Sequence, residues 1–139
     1  MRSNAILAVL VAFALALPAA AADKKKTAVH KITQSVSYLM IDPIYTSIMD
    51  GNKIVGLLMI GIGLDVPDAD LRAQTELAMP VLRDVYVRSL MAYTATSVRP
   101  WHQPDVGEIA DRLQRVTDLT LKRKGARLLL AQVAMRLTK

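Results

Sequence analysis

The stretch KIVGLLMIGIGLDV, Lys53 to Val66, limits the fold more than any other part of the chain. It is almost all hydrocarbon, it follows Asp50-Gly51-Asn52 directly, and Gly56, Gly61 and Gly63 interrupt it. A helix crossing a bilayer needs ~20 apolar residues, and the apolar core from Ile54 to Leu64 is too short. Each glycine would also cost a helix about 1 kcal/mol. Extended backbone removes both difficulties. Asp-Gly between two apolar runs marks a hairpin, because Gly51 takes positive φ cheaply, so Lys53–Val66 becomes the second hairpin strand.

With period two, Ile54, Leu58, Ile60, Ile62, Leu64 and Val66 share a core face, and Lys53, Val55, Leu57, Met59, Gly61, Gly63 and Asp65 share the other. The second face ends bare at Gly61 and Gly63, which implies a close neighbour there: a bulge, a partner or, above all, a crossing helix. Upstream, Val36, Tyr38 and Met40 fall on one side of an extended segment that Pro43 breaks, before the β-branched and aromatic IYTSIM.

After the hairpin the period changes. In VPDADLRAQTELAMPVLRDVYVRSLMAYTA, the residues Met79, Leu82, Val85, Tyr86, Ser89, Leu90 and Tyr93 form one helical stripe. Asp68 or Asp70 caps its start, and Pro80 imposes a kink or opens a second helix. Asp84 and Arg88 make an exposed i,i+4 pair. The loop SVRPWHQPD follows, then a helix with its apolar face on Val106, Ile109, Ala110, Leu113, Val116 and Thr117. Asp105 and Glu108 have capping-box spacing. Lys122, Arg123 and Lys124 are expected in the last turn, where the helix dipole favours cations, with Gly125 ending the helix. The tail alternates as a strand, with Leu129, Ala131, Val133, Met135 and Leu137 on one face. The expectation is an α+β fold in which an antiparallel sheet, the hairpin plus a C-terminal strand, is packed by two helices.

The N-terminus has its own logic. Arg2, an apolar run from Ala5 to Leu17, Pro18 and small residues up to Ala22 read as a signal peptide or a short N-terminal membrane anchor over 1–22. Cleavage is expected near Ala22–Asp23. Residues 23–35 are a basic tether and 36–139 the folded domain. The rest of the chain then lies in the periplasm, free or held to the inner membrane. There the net charge of +6 and pI of 9.8 meet anionic lipid, cell wall or acidic partners, not nucleic acid.

No catalytic motif, phosphate loop or metal-ligand spacing stands out, and the chain has no cysteine. No catalytic residue, metal or cofactor is therefore expected. Asp65, Asp68 and Asp70 lack the ligand count of a calcium loop. The sole tryptophan, Trp101, lies between Arg99 and His102 in the proline-bracketed loop. It either folds back as a lid over the helices or stands out as an anchor for a protein partner. The candidate contacts are thus Gly61, Gly63, Arg99, Trp101 and His102, with Lys122, Arg123 and Lys124 as a basic surface. A small-molecule pocket between sheet and helices near Gly61 and Gly63 is a further possibility.

YLMIDPIYTSIMDGNKIVGLLMIGIGLDVPD followed by MPVLRDVYVRSL resembles the extracytoplasmic domain of the FliL family of flagellar basal-body-associated proteins. The likeness covers about residues 37–138, and its short motif is Pro80, Leu82, Arg83 and Asp84. The resemblance implies a stomatin/prohibitin-like domain, no enzymatic activity, and homo-oligomeric rings around the flagellar stator that support motility. The chain departs from the family's usual build in its minimal cytoplasmic tail, signal-like N-terminus and very short linker. The competing expectation is a periplasmic module unrelated to flagella that binds an acidic partner, cell wall or anionic lipid.

Overall fold

The computed structural model describes residues 35–138. The leader and nearly all of the tether lie outside the described residues. Six elements follow in order: β1 (Tyr38–Asp50), β2 (Lys53–Asp65), α1 (Ala69–Leu77), α2 (Met79–Ser97), α3 (Val106–Leu121) and β3 (Arg127–Leu137). The strands form one antiparallel sheet in the order β1-β2-β3, so the glycine-bearing strand is central. The α+β class and the antiparallel sheet are as expected, but three helices pack it where two were expected. Pro80 is the reason. It sits in the first turn of α2 and offers no N–H, so the chain starts a new helix after Ala78.

The hairpin turn is as read. Gly51 has φ of 58, and Asn52 stays out of the positive region, the glycine-first pattern of a II′ turn. Asp50 pairs with Lys53. Three irregularities each move side chains between faces, and of these a bulge was among the expected readings only beside Gly61 and Gly63. In β1, Asp42 and Pro43 together oppose a single residue, between the pairs Ile41↔Ile62 and Ile44↔Ile60. Pro43 therefore bulges the strand without breaking it, as β1 is an edge strand where a missing donor is tolerated. In β2, Val55 is extra between the pairs Ile48↔Gly56 and Met49↔Ile54. This turns Ile54 out of the core, and it is 62% exposed. In β3, Ala131 is extra, so Leu128, Leu130, Val133 and Met135 share the core side, and the simple alternation read from the tail fails there.

The core lies between the sheet's inner face and the helices. Ile41, Ile44 and Ile48 of β1 and Leu58, Ile60, Ile62 and Leu64 of β2 meet Leu82, Tyr86, Leu90 and Tyr93 of α2 and Ile109, Leu113 and Leu121 of α3. Helix α2 packs over β1, and α3 over β3. Asp68 caps α1 by accepting from the Leu71 N–H at 2.7 Å, and Asp105 caps α3 by accepting from the Glu108 N–H at 3.0 Å. The capping box is only half made, because the Glu108 carboxylate pairs with Arg112 at 3.2 Å instead.

Among the described residues four threonines are buried: Thr46, Thr75, Thr94 and Thr117. Thr75, Thr94 and Thr117 donate to the carbonyl four residues back in their helices. With its proton committed to Leu90, Thr94 accepts from Thr46 at 2.7 Å and so ties α2 to β1. Thr94→Val strands the Thr46 hydroxyl and is expected to cost about 1.5 kcal/mol, while adding Thr46→Val should return most of it. Urea unfolding of both single variants and the double variant checks this. Additive losses would contradict the pairing.

Candidate functional site

Three places carry the side chains singled out above. The first is the outer face of the sheet, which no helix of the described residues covers. Met40, Tyr45, Met49, Ile54 and Leu57 stand exposed on it, Met40 at 76%. Two shallow hollows of about 380 and 360 Å3 adjoin at Leu57, and both are bordered by Arg136.

Gly61 and Gly63 also belong to this outer face, but no helix of the described residues crosses them. A Cβ at Gly63 would collide with the ring of Tyr38, which fills the space from β1. A Cβ at Gly61 would come within 3.4 Å of Gln132, beside the β3 bulge. The crossing-helix expectation fails because the helices lie on the other side of the sheet. The pocket expected near these glycines fails for the same reason: they do not face the helices, and Gly63 is already covered.

The second place is the α2–α3 loop, where the chain turns at Arg99–His102, the His102 N–H donating to the Arg99 carbonyl at 3.1 Å. Trp101 is 70% exposed. It is no lid: Tyr93, not Trp101, takes the buried position beside the loop. The Tyr93 hydroxyl accepts from the Asp105 N–H at 3.1 Å, and the Arg112 guanidinium lies 5.5 Å from its ring centre. Burial, above all, raises the Tyr93 pKa. Trp101, Arg99, His102 and Tyr93 share one hollow of about 400 Å3 with Glu108. Three of the five expected contacts thus come together, whereas Gly61 and Gly63 lie on the far face of the sheet.

The third place is the α3–β3 turn. Lys122, Arg123 and Lys124 are exposed, but beyond the helix, not in its last turn. Lys122 takes the left-handed cap position at φ of 53, so α3 ends before the expected stop at Gly125. The Gln74 side chain donates to the Leu121 carbonyl at 3.2 Å, which gives that helix end a partner.

No family model and no curated protein matches the chain.

The motif Pro80, Leu82, Arg83 and Asp84 therefore has to be understood from its contacts. Pro80 opens α2, Leu82 is fully buried, and Asp84 pairs with Arg88 on the surface. Arg83 donates to the Asp42 carbonyl at 3.1 Å and lies 3.8 Å from its carboxylate, bracing the β1 bulge against α2. Leu82 and Arg83 thereby serve packing, and the exposed Asp84–Arg88 pair adds little. Among the described residues, no cluster of three or more His, Asp or Glu side chains is placed to hold a metal, and no helix is long and apolar enough to cross a membrane.

Sequence reasoning placed Leu57 with Gly61 and Gly63 on the outer face of β2, but it did not bring Tyr45 and Ile54 there, because the bulges at Asp42–Pro43 and Val55 that do so depend on how β1 and β2 pair.

Proposed function

We propose that this chain is a FliL-like, non-enzymatic accessory protein of the flagellar basal body. It would act outside the cytoplasm, released or held at the inner membrane, and contact the stator or basal body to support motility. The stomatin/prohibitin-like fold and ring assembly belong to the same proposal. The element order supports it: a hairpin with a D-G turn, helices bearing the proline-leucine-arginine-aspartate motif, and a closing strand beside the glycine strand.

The observation that carries the partner-binding part is Trp101. The loop's Gln103 and Pro104 line a hollow with Val133 and Met135, toward the hairpin half of β3, while the chain enters the fold beside Asp65 at the other end. An exposed tryptophan flanked by Arg99 and His102 is thus presented away from the point of attachment, with the residue types that dominate interface hot spots.

The test is deletion of the gene followed by soft-agar swimming. A reduced halo is expected, restored by the wild-type chain and not by Trp101→Ala accumulated to the same level. A deletion strain that swims normally overturns the flagellar reading.

A further inference from the structure

The end of the sheet at which the chain enters also carries a dense cluster of cations. The Val66 N–H donates to the Ser37 carbonyl at 2.8 Å, Tyr38 pairs with Asp65, and Asp65 pairs with Arg127. The entry segment, the exit of β2 and the start of β3 therefore lie side by side. Directly before Arg127 come Lys122, Arg123 and Lys124, all exposed. Of these four cations, only Arg123 has a carboxylate within 4 Å among the described residues: Asp68, at 3.5 Å. The hairpin tip lies at the opposite end, about 40 Å away along β2.

The sequence preceding this entry point continues the charge. Lys24, Lys25, Lys26 and Lys31 come before Ser35, and the apolar run Ala5–Leu17 comes before them. From Ala22, where the anchor segment ends, to Ser35 the chain reaches at most ~45 Å. If the run is retained in a bilayer, this end of the domain is the attached one and stays within that reach of the membrane surface.

We propose that the α3–β3 turn, through Lys122, Arg123, Lys124 and Arg127, docks on the anionic phospholipid headgroups of the bilayer that holds the N-terminal run. The hollow beside Lys124, Gly125 and Arg127 is also bordered by Asp118, so it is no closed cradle for one phosphate. The cations act together through their field, and the contact follows surface charge, not headgroup identity. Lipid is the occupant because the tether length and the entry point put it within reach of every copy.

The inference rests on the anchored form of the proposal above and not on a flagellar role. The full chain contains no cysteine, so Leu119→Cys in the exposed last turn of α3, or Asn52→Cys at the hairpin tip, takes a single fluorophore. Each labelled full-length chain is incorporated into nanodiscs of phosphatidylcholine alone or mixed with phosphatidylglycerol, both doped with headgroup spin-labelled lipid. The residue-119 label should be quenched in anionic discs and far less in neutral ones, with quenching lost at high salt. The residue-52 label should stay bright in both. Lys122→Asn with Lys124→Gln should lower the docking equilibrium roughly 25-fold, about fivefold per cation. Equal quenching in both disc types, quenching at the hairpin tip, no effect of the double variant, or failure of the full chain to incorporate overturns the proposal. A normally swimming deletion strain with a quenched residue-119 label removes the flagellar reading and leaves this one standing.

Discussion

Gly56→Val is expected to destabilise the folded chain by about 3 kcal/mol, the upper end for overfilling a packed site. A Cβ at position 56 would sit 2.5 Å from the Arg136 backbone oxygen and 3.1 Å from the Leu137 Cα. That wall is main chain, so no rotamer change relieves the contact. The end of β3 has to move, and the Thr138 N–H bond to the Val55 carbonyl at 2.9 Å goes with it. Gly63→Val is the informative comparison. There the obstructing atoms are the far end of the Tyr38 ring, a side chain near the start of the described fold that can swing aside. The expected cost is nearer 1 kcal/mol. Denaturant unfolding measures both, and amide exchange at Arg136 to Thr138 should quicken only in the position-56 variant. If the two substitutions cost the same, the close approach of β3 to Gly56 is not what keeps a glycine there.

These two positions show how far the residues spoke for themselves. That β2 is a strand followed from its length, its glycines and the Asp-Gly turn, all local features. That Gly63 faces a tyrosine and Gly56 a backbone did not follow, since both neighbours come from other strands. Which residues bulge was hidden for the same reason. Nothing within Ile54-Val55-Gly56 says that Val55 goes unpaired. The decision is made by how Met49 and Ile48 align across the hairpin. Helix faces fared better, because Leu82, Tyr86, Leu90 and Tyr93 repeat within one element and need no knowledge of a partner to be placed. The helix end at Lys122 was misplaced because Gly125 offered the obvious stop. Pairing of Leu128 with Leu64, and the bond of its N–H to Gln114 at 2.8 Å, require the chain to turn earlier, through a lysine in left-handed conformation.

The candidate site divides along the same line. Trp101, Arg99 and His102 are adjacent in sequence, so their clustering was legible. Whether the tryptophan lay down or stood out depended on Tyr93 occupying the buried position from α2. The nearness of the basic turn to the chain's entry point was not legible at all. It arises because β3 returns antiparallel beside β2, which sets Arg127 against Asp65, while β1 starts at the same level.

Tyr86 should make the chain sensitive to alkali in a way that a single substitution reverses. Its ring is fully buried, and its hydroxyl lies 2.6 Å from Thr117 Oγ1. Thr117 gives its own proton to the Leu113 carbonyl, so Tyr86 is the donor. Burial pushes the Tyr86 pKa up to about 12. In the unfolded chain a tyrosine loses its proton near 10. Between these values the unfolded state binds fewer protons than the folded state, so stability falls as pH rises. The contribution is intact below pH ~10 and lost through pH ~12, amounting to about 3 kcal/mol once both states are ionised. Tyr86→Phe removes this titration and one hydrogen bond whose partner keeps its other bond, so at neutral pH it should cost only about 1 kcal/mol. The two stability curves should therefore cross: wild type ahead at neutral pH, the phenylalanine variant ahead by about 1 kcal/mol near pH ~12. Urea titrations across the alkaline range, read as the difference between the two proteins, cancel the lysines they share. Parallel curves would mean that the Tyr86 hydroxyl is reached by water in the folded state, and that α2 and α3 do not close over it.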